Sequence, residues 1–316
     1  MASRGQQAGG GVPRWDPGAV PRRSRLHGVL RLIRVEHTLF SLPFAYAGAA
    51  LTGLPLNLKQ AVLIGLALFG LRTAAMAFNN IADLDIDRAN PRSRSRPLVQ
   101  GTVSLKCAWA LVAVGSLLYY ASSALLNRYA LLLSPLLWVL ALTYPYAKRY
   151  HSFPHYHLGL VLGFAVFGGA VAVAGSTYDS LARVLECVPW LYVFGVTLWV
   201  AGFDIIYSIM DMDFDRRMGL GSVPALLGAR GALLVAIASH VLSTIFFLAG
   251  SFTYHPPAGL GTLVSSLTGG ALMLYADLMV ARSLENIPRA FNLNLVIGLV
   301  VSLGVLLDYA VYLLHH

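Results

Sequence analysis

Long, nearly unbroken apolar stretches dominate this chain, and short polar or Gly/Pro-containing segments punctuate them; the runs 61–71, 108–118, 129–142 and 291–307 are the plainest. A helix that spans a bilayer needs roughly 20 mostly apolar residues. Hydrocarbon offers no hydrogen bonds, so the backbone of such a span must satisfy itself as a helix. About nine spans are predicted on this basis, near 36–54, 60–81, 104–124, 128–147, 157–176, 187–209, 229–250, 258–281 and 291–312. The expectation is an all-α, polytopic membrane protein.

Composition agrees with that pattern. Hydrophobic residues make up 57% and charged residues 12% of the 316, whereas soluble domains are about one quarter charged. The first thirty residues (MASRGQQAGGGVPRWDPGAV and onward) are rich in Gly, Pro and Arg and lack a signal-peptide apolar core. They are expected to be a flexible basic tail, with one transmembrane domain over 31–316 whose halves run roughly 31–150 and 151–316. The only two cysteines, Cys107 and Cys187, lie in or beside apolar runs, which excludes a disulfide framework.

A net charge of +9 would suit a nucleic-acid partner, but its distribution points elsewhere. With nine spans and the N-terminus inside, 19 of the 23 Lys and Arg fall on the inner side. Lys59, Arg128 and Arg183 fall outside, and Arg72 falls within a span. That bias is the positive-inside signature. It predicts a multi-pass cell-membrane protein with a cytoplasmic N-terminus, no nucleic-acid partner and no evident obligate protein partner.

Acidic residues are scarce, and seven of the 14 fall in two short stretches. Asp83, Asp85 and Asp87 follow the second predicted span, in FNNIADLDID. Asp204, Asp211, Asp213 and Asp215 end the sixth, in FDIIYSIMDMDFD. Helical residues four apart share a face, so Asn79, Asp83 and Asp87 align, with Arg72 deeper along the same face, and Asp204, Asp211 and Asp215 repeat the arrangement. A constant offset of 128 residues relates Asp83 to Asp211 and Asp87 to Asp215, which suggests a diverged internal duplication. Two facing carboxylate rows make a cage for hard divalent cations, and magnesium commonly bridges carboxylates to substrate phosphates. Arg92, Arg94, Arg96, Lys148, Arg149, Arg216 and Arg217 supply cations on the same side for an anionic group. Asp85, Asp213, Arg88 and Arg217 point off the common face and read as solvated helix ends. For Arg72 and Asp204 the plain alternative to lining a polar pocket is an ion pair between their helices. Tyr144 and Lys148, also four apart, can meet one group, or can simply be an interfacial aromatic and a topology-setting lysine. No histidine pairs with an acid or a cysteine along the sequence, so zinc is not expected.

The Asn79-x3-Asp83-x3-Asp87 and Asp211-x3-Asp215 patterns closely resemble the two signature motifs of the UbiA superfamily of intramembrane prenyltransferases. RVEHTLFSLPF at 34–44, RTAAMAFNNIAD at 72–83, NPRSRSRPL at 90–98 and the Tyr144/Lys148 pair strengthen the likeness, which runs from about residue 30 to the C-terminus. The chain looks nearest to the 4-hydroxybenzoate polyprenyltransferase branch and to an archaeal UbiA homologue. It departs at Asn80, where many relatives carry Asp, so Asn80 is expected to be structural.

The resemblance implies a bundle of nine helices in two related halves around a lipid-open central cavity. It implies that Asp83, Asp87, Asp211 and Asp215 bind Mg²⁺, as two ions, together with a polyprenyl diphosphate. Arg72 and Asn79 would lie near a small aromatic acceptor, Tyr144 and Lys148 near the diphosphate, and Asp204 would assist the aromatic substrate. Arg96, Arg149 and Ser222 complete the substrate-binding candidates. Aromatic faces such as Tyr144, Tyr207, Phe78 or Phe203 would stabilise the allylic cation. The implied activity is Mg-dependent prenyl transfer in quinone-type lipid biosynthesis. A naphthoate, haem, a chlorin or a glycerophosphate lipid remain alternative acceptors. A transporter is a rival class, although the acids sit at one membrane face rather than at the midplane where transporters bind ions.

Overall fold

The structure, a computed structural model, describes residues 22–315 except His255 and Pro257, and describes 22–25 and 35–40 by backbone alone. Those residues form thirteen α-helices and no strand. In chain order these are α1 (Arg22–Ile33), α2 (Val35–Ala50), α3 (Leu58–Ala82), α4 (Leu84–Ala89), α5 (Leu105–Leu126), α6 (Arg128–Tyr150) and α7 (Pro154–Thr177). They continue as α8 (Leu181–Glu186), α9 (Trp190–Ser208), α10 (Met212–Met218), α11 (Val223–Thr253), α12 (Leu260–Arg282) and α13 (Ile287–His315).

Eight of the described helical segments are long and apolar enough to cross a membrane, one fewer than the nine expected. The exception is the first. A left-handed residue, Arg34 at φ 47°, splits the segment around 36–54 from α1, and α2 is left with 16 residues. At 1.5 Å per residue that is about 24 Å, short of a hydrocarbon core of about 30 Å. Of the expected tail, residues 1–21 lie outside the described residues, and the remainder opens α1. The seventh expected span, beginning at 229, matches a break within α11, where Gly228 adopts φ 71°.

α7 and α9 form the centre, with 67% and 61% of their apolar windows buried, whereas α5 is peripheral at 28%. Trp199, Tyr192, Phe44 and Phe247 fill the space between them and their neighbours. Leu117, Leu132 and Leu234 instead point outward, as lipid-facing residues do. Apolar burial gains little in lipid, so close packing between helices has to supply the adhesion. Glycines permit it. A Cβ on Gly159 would come within 2.2 Å of the Thr197 carbonyl oxygen, and one on Gly70 within 2.7 Å of that of Gly115. α7 therefore lies directly on α9, and α3 on α5.

The two acidic stretches are built alike. α3 stops at Asp83, whose ψ of 5° is not helical, and α4 restarts one residue later. α9 passes through a tight turn at Ile209–Asp211 before α10 begins. Asn79, Asp83 and Asp87 thus stay roughly in line across a break, since Asp87 N–H donates to the Asp83 carbonyl at 2.8 Å.

Candidate active site

The ends of α3 and α9 meet. Asn90, just after α4, donates from Nδ2 to Asp211 Oδ1 at 3.1 Å. Arg92 reaches Asp211 Oδ2 at 2.5 Å while its guanidinium lies 5.1 Å from the centre of the Tyr207 ring. The Asn90 side chain also accepts the Arg92 N–H, which sets the turn that begins at Pro91. Both acidic stretches therefore lie at one end of the bundle and line one cavity of about 760 Å³ that holds Asp83, Asp87, Asp211 and Asp215.

Basic side chains already face these acids. Lys148 Nζ donates to Asp83 Oδ2 at 2.8 Å, and Arg149 lies 3.7 Å from Oδ1. Arg96 donates to Asp87 Oδ2 at 2.5 Å. Burial pushes the Asp87 carboxyl above the ordinary aspartate range; the Arg96 guanidinium pulls it back, and neighbouring Asp83 pushes it up. Asp215 takes a hydrogen bond from Ser222, whose oxygen in turn caps α11 by accepting the Ala225 N–H. The Ser222 hydroxyl, a substrate-binding candidate from sequence, is thus engaged in holding Asp215, although it also lines the cavity. Arg216 donates to the Ala225 carbonyl and fastens α10 to α11. Asp85, whose side chain is 97% exposed, makes a 3.5 Å surface pair with Arg88, and Asp213 and Arg217 are exposed as well.

The donor set suits a hard divalent cation, since every acidic ligand is a carboxylate oxygen. Asp83 Oδ1 is buried yet forms no hydrogen bond. Among the described residues no three acidic, histidine or cysteine side chains converge closely enough to enclose an ion. The acids form two pairs on the walls of one cavity rather than the closed cage expected. Magnesium is bound in just this way, by one or two carboxylates with the substrate's own phosphates and waters filling the remaining positions.

A second cavity, of about 960 Å³, adjoins the first and shares Asn79, Arg96, Tyr144, Leu158 and Asp204 with it. Asn79 Nδ2 lies 3.2 Å from the Tyr144 hydroxyl and 3.5 Å from Asp83 Oδ2, so it connects the two cavities. Arg34 and Arg72 line the second cavity, as do Phe203, Tyr207 and Phe291. Phe78 does not; its ring packs edge-on to Trp109 and Tyr146, away from the cavity. Asn80 is structural, donating to the Met76 carbonyl at 2.8 Å and towards that of Leu32 in α1.

The alternative of an ion pair between Arg72 and Asp204 fails. Arg72 Nε is buried without a hydrogen bond, and Asp204 pairs with His155 instead, Nδ1 to Oδ2 at 2.7 Å. His155 Nε2 accepts the Val223 N–H at 3.3 Å, so the ring proton sits on Nδ1 and is donated to the Asp204 carboxylate. A second pair, His240–Asp277 at 2.9 Å, is buried between α11 and α12. The expectation that no histidine meets an acid is therefore corrected. The partners lie 49 and 37 residues apart, and only packing brings them together.

Sequence reasoning did not single out Arg34, Asn90 or His155 as site residues. The Asn-Pro step at 90–91 is a turn signal that could have marked Asn90. Arg34 opens the RVEHTLFSLPF stretch that strengthens the resemblance, whereas nothing local marks His155.

The chain is similar over most of its length to proteins of one family. The UbiA prenyltransferase family profile matches residues 41–298. The 4-hydroxybenzoate octaprenyltransferase of Yersinia pseudotuberculosis (serotype IB) is 32% identical over 285 residues, covering 88% of this chain and 95% of its own. That of Alkalilimnicola ehrlichii is 31% identical over 262 residues, 82% of this chain and 85% of its own. Among solved structures, the apo UbiA homologue of Aeropyrum pernix K1 is 55% identical with a TM-score of 0.83, over 86% of this chain and 98% of that one. A homologue from Archaeoglobus fulgidus bound to GPP and Mg²⁺ shares the fold at 20% identity and a TM-score of 0.61, over 87% and 99%. The chain is a membrane-embedded prenyltransferase and belongs to the UbiA prenyltransferase family.

Proposed function

We propose that this protein catalyses Mg²⁺-dependent transfer of a prenyl group from a polyprenyl diphosphate to an aromatic acid such as 4-hydroxybenzoate, a step of quinone-type lipid synthesis. The observation that carries the reading is the junction of two cavities: four carboxylates with their basic partners line one, and an arginine-bearing, aromatic-walled chamber opens directly from it. The Yersinia and Alkalilimnicola relatives, named 4-hydroxybenzoate octaprenyltransferases, support the donor and acceptor classes. We place the acidic cavity at the cytoplasmic face, because most of the Lys and Arg lie on that side.

Asp83, Asp87, Asp211 and Asp215 would hold the magnesium, two ions in this reading. When bound, the metal neutralises the charge that develops on the departing diphosphate. Lys148, Arg149, Arg96 and Arg92, now paired with those acids, exchange carboxylate for phosphate oxygens as donor and metal enter together. The allylic carbon–oxygen bond breaks at the junction, beside Asn79 and Tyr144. Phe203, Tyr207 and Phe291 offer ring faces to the cationic carbon. Arg34 and Arg72 orient the acceptor carboxylate. A ring carbon of the acceptor forms the new bond, and Asp204, held by His155, takes the proton released. Apolar walls from Leu158, Leu162 and Val200 keep water from quenching the cation.

The test is purified protein with geranyl diphosphate, Mg²⁺ and a panel of acceptors, with products identified by mass. A C-prenylated 4-hydroxybenzoate, lost on chelation with EDTA and restored by Mg²⁺, is the expected result. Turnover only of a glycerophosphate would reassign the acceptor, and no prenylated product with any acceptor would overturn the reading. In the same assay, His155→Phe is expected to lower kcat about tenfold with little change in donor KM, a fraction of what general-base catalysis contributes. Unchanged kcat would show that His155 does not position Asp204.

A further inference from the structure

Three consecutive residues, Gly221, Ser222 and Val223, each bond to a different part of the site. The Gly221 N–H donates to the Lys148 carbonyl at 2.6 Å, and Lys148 Nζ in turn holds Asp83. The buried Ser222 hydroxyl engages Asp215. The Val223 N–H donates to His155 Nε2 at 3.3 Å, and His155 Nδ1 holds Asp204. One short stretch therefore touches both walls of the acidic cavity and, through a single imidazole, the acid shared with the second cavity.

This stretch is itself tightly held. Ser222 caps α11 by accepting the Ala225 N–H at 3.2 Å, and Pro224 follows in the first turn, where a missing N–H is tolerated. From the α10 side, the Arg216 guanidinium grips the Ala225 carbonyl at 2.9 Å. Glycines with left-handed φ bound the unit, Gly219 at 66° and Gly228 at 71°. Its single helical turn is therefore aimed independently of α10 and of the rest of α11. The α6–α7 connection presses on the other side: a Cβ at Gly221 would come within 2.2 Å of the His151 carbonyl oxygen. Only glycine there lets Lys148 and His155, at the two ends of that connection, reach the stretch together.

We propose that Gly221–Ser222–Val223 is a positioning element that keeps the metal-binding carboxylates in register with the acceptor-side base, so that prenyl transfer outruns capture of the allylic cation by water. The proposal rests on the reaction inferred above. In transfer, the allylic carbon–oxygen bond breaks and its electron pair leaves with the diphosphate. A ring carbon of the acceptor supplies the pair for the new carbon–carbon bond, and Asp204 takes the ring proton. In capture, a water oxygen bonds to the allylic carbon instead and loses a proton to solvent, which releases a free prenol. The carboxylates set where the cation forms, and His155 with Asp204 sets where the ring gives up its proton. Those two groups stand on different helices, and this stretch is bonded to both. A displacement of about 1 Å can cost on the order of 100-fold in rate, while a cation already formed still has water to react with.

Gly221→Ala supplies the test, because its Cβ must push the His151 backbone away, and His155 with it. Purified protein is given geranyl diphosphate, Mg²⁺ and the acceptor that the panel identifies, and prenylated acceptor and geraniol are both quantified. Transfer is expected to slow about 30-fold or more and the ratio of geraniol to prenylated acceptor to rise about tenfold or more, with donor KM within about twofold of wild type. The ratio is the deciding readout, since loss of folded protein lowers both products together. Where Gly221→Ala fails to fold, Ser222→Ala decides, because it frees Asp215 from the stretch. It is expected to raise the same ratio about fivefold or more, whereas Ser222→Thr, which keeps the hydroxyl and the cap, stays within about twofold. Both products falling in proportion would reduce the stretch to a helix cap and overturn the proposal. Wild-type protein that prenylates no acceptor would fail the functional reading and the proposal with it; prenylation with an unmoved ratio in the variants fails the proposal alone.

Discussion

Asp83→Asn and Asp211→Asn are each expected to lower kcat/KM for prenyl transfer by about 10³-fold or more, the scale on which removing a charge-stabilising group from an active site acts. Asparagine keeps the shape and hydrogen-bonding reach of aspartate, so the change is nearly one of charge alone. At Asp83 that charge is 4% exposed and faces Lys148 and Arg149. Its Oδ1, without a hydrogen bond, is the oxygen best placed to accept a metal ion. At Asp211 the charge faces Arg92 across the junction of the two helix ends. Loss of either should also raise the Mg²⁺ concentration needed for half-maximal rate. Single-turnover assays across a Mg²⁺ titration would measure both effects, with gel filtration as the control for folding. Asp85→Asn is the internal comparison: its side chain is 97% exposed and pairs only with Arg88, and such surface pairs contribute about 0–1 kcal/mol. Wild-type rates in Asp83→Asn, or an equal loss in Asp85→Asn, would show that the acids do not act through a metal.

The parts of this molecule that could be read from sequence are those dictated by solvent. Hydrocarbon forces each apolar run to be helical, so eight of the nine expected spans appear as long helices. The four-residue spacing of the acids survives because each break, at Asp83 and through Ile209–Asp211, costs the helix direction little. What could not be read are the features set by tertiary packing. Arg34 takes a left-handed conformation that costs a non-glycine residue of order 1–3 kcal/mol, and nothing in RLIRVEH signals it. The result is a shortened first span and a guanidinium that lines the second cavity. Likewise, periodicity put Asp204 and Arg72 at similar depths on two helices, which made an ion pair between them reasonable. The start of α7 brings His155 to Asp204 first, and Arg72 stays available to a substrate anion.

Gly169→Ala, a change usually helpful in a helix, is expected here to cost about 3 kcal/mol or more and to leave little monodisperse protein. Alanine in place of glycine favours a helix interior by about 0.8–1 kcal/mol. Against that gain, a Cβ at Gly169 would lie 1.8 Å from the Ala45 carbonyl oxygen, and one at Gly48 would lie 2.0 Å from that of Val166. The obstacle is backbone in both cases, so no rotamer change can relieve it; α2 and α7 must move apart. Separation loosens the packing of Phe44, Ala45 and Ala49 against Val166 and Ala170, and packing is the main adhesion available in a bilayer. Gly168→Ala, one residue away with its nearest neighbour at 3.9 Å, should match or slightly exceed wild type. Thermal unfolding in detergent distinguishes the pair. The clash also bears on the proposed function, because α2 follows directly from Arg34, which lines the cavity proposed to hold the acceptor. Whatever Gly169→Ala protein survives purification should therefore show a raised KM for the acceptor carboxylate. An unchanged melting temperature and acceptor KM would mean that α2 can yield without cost, and that the close approach of these two helices does not anchor the site.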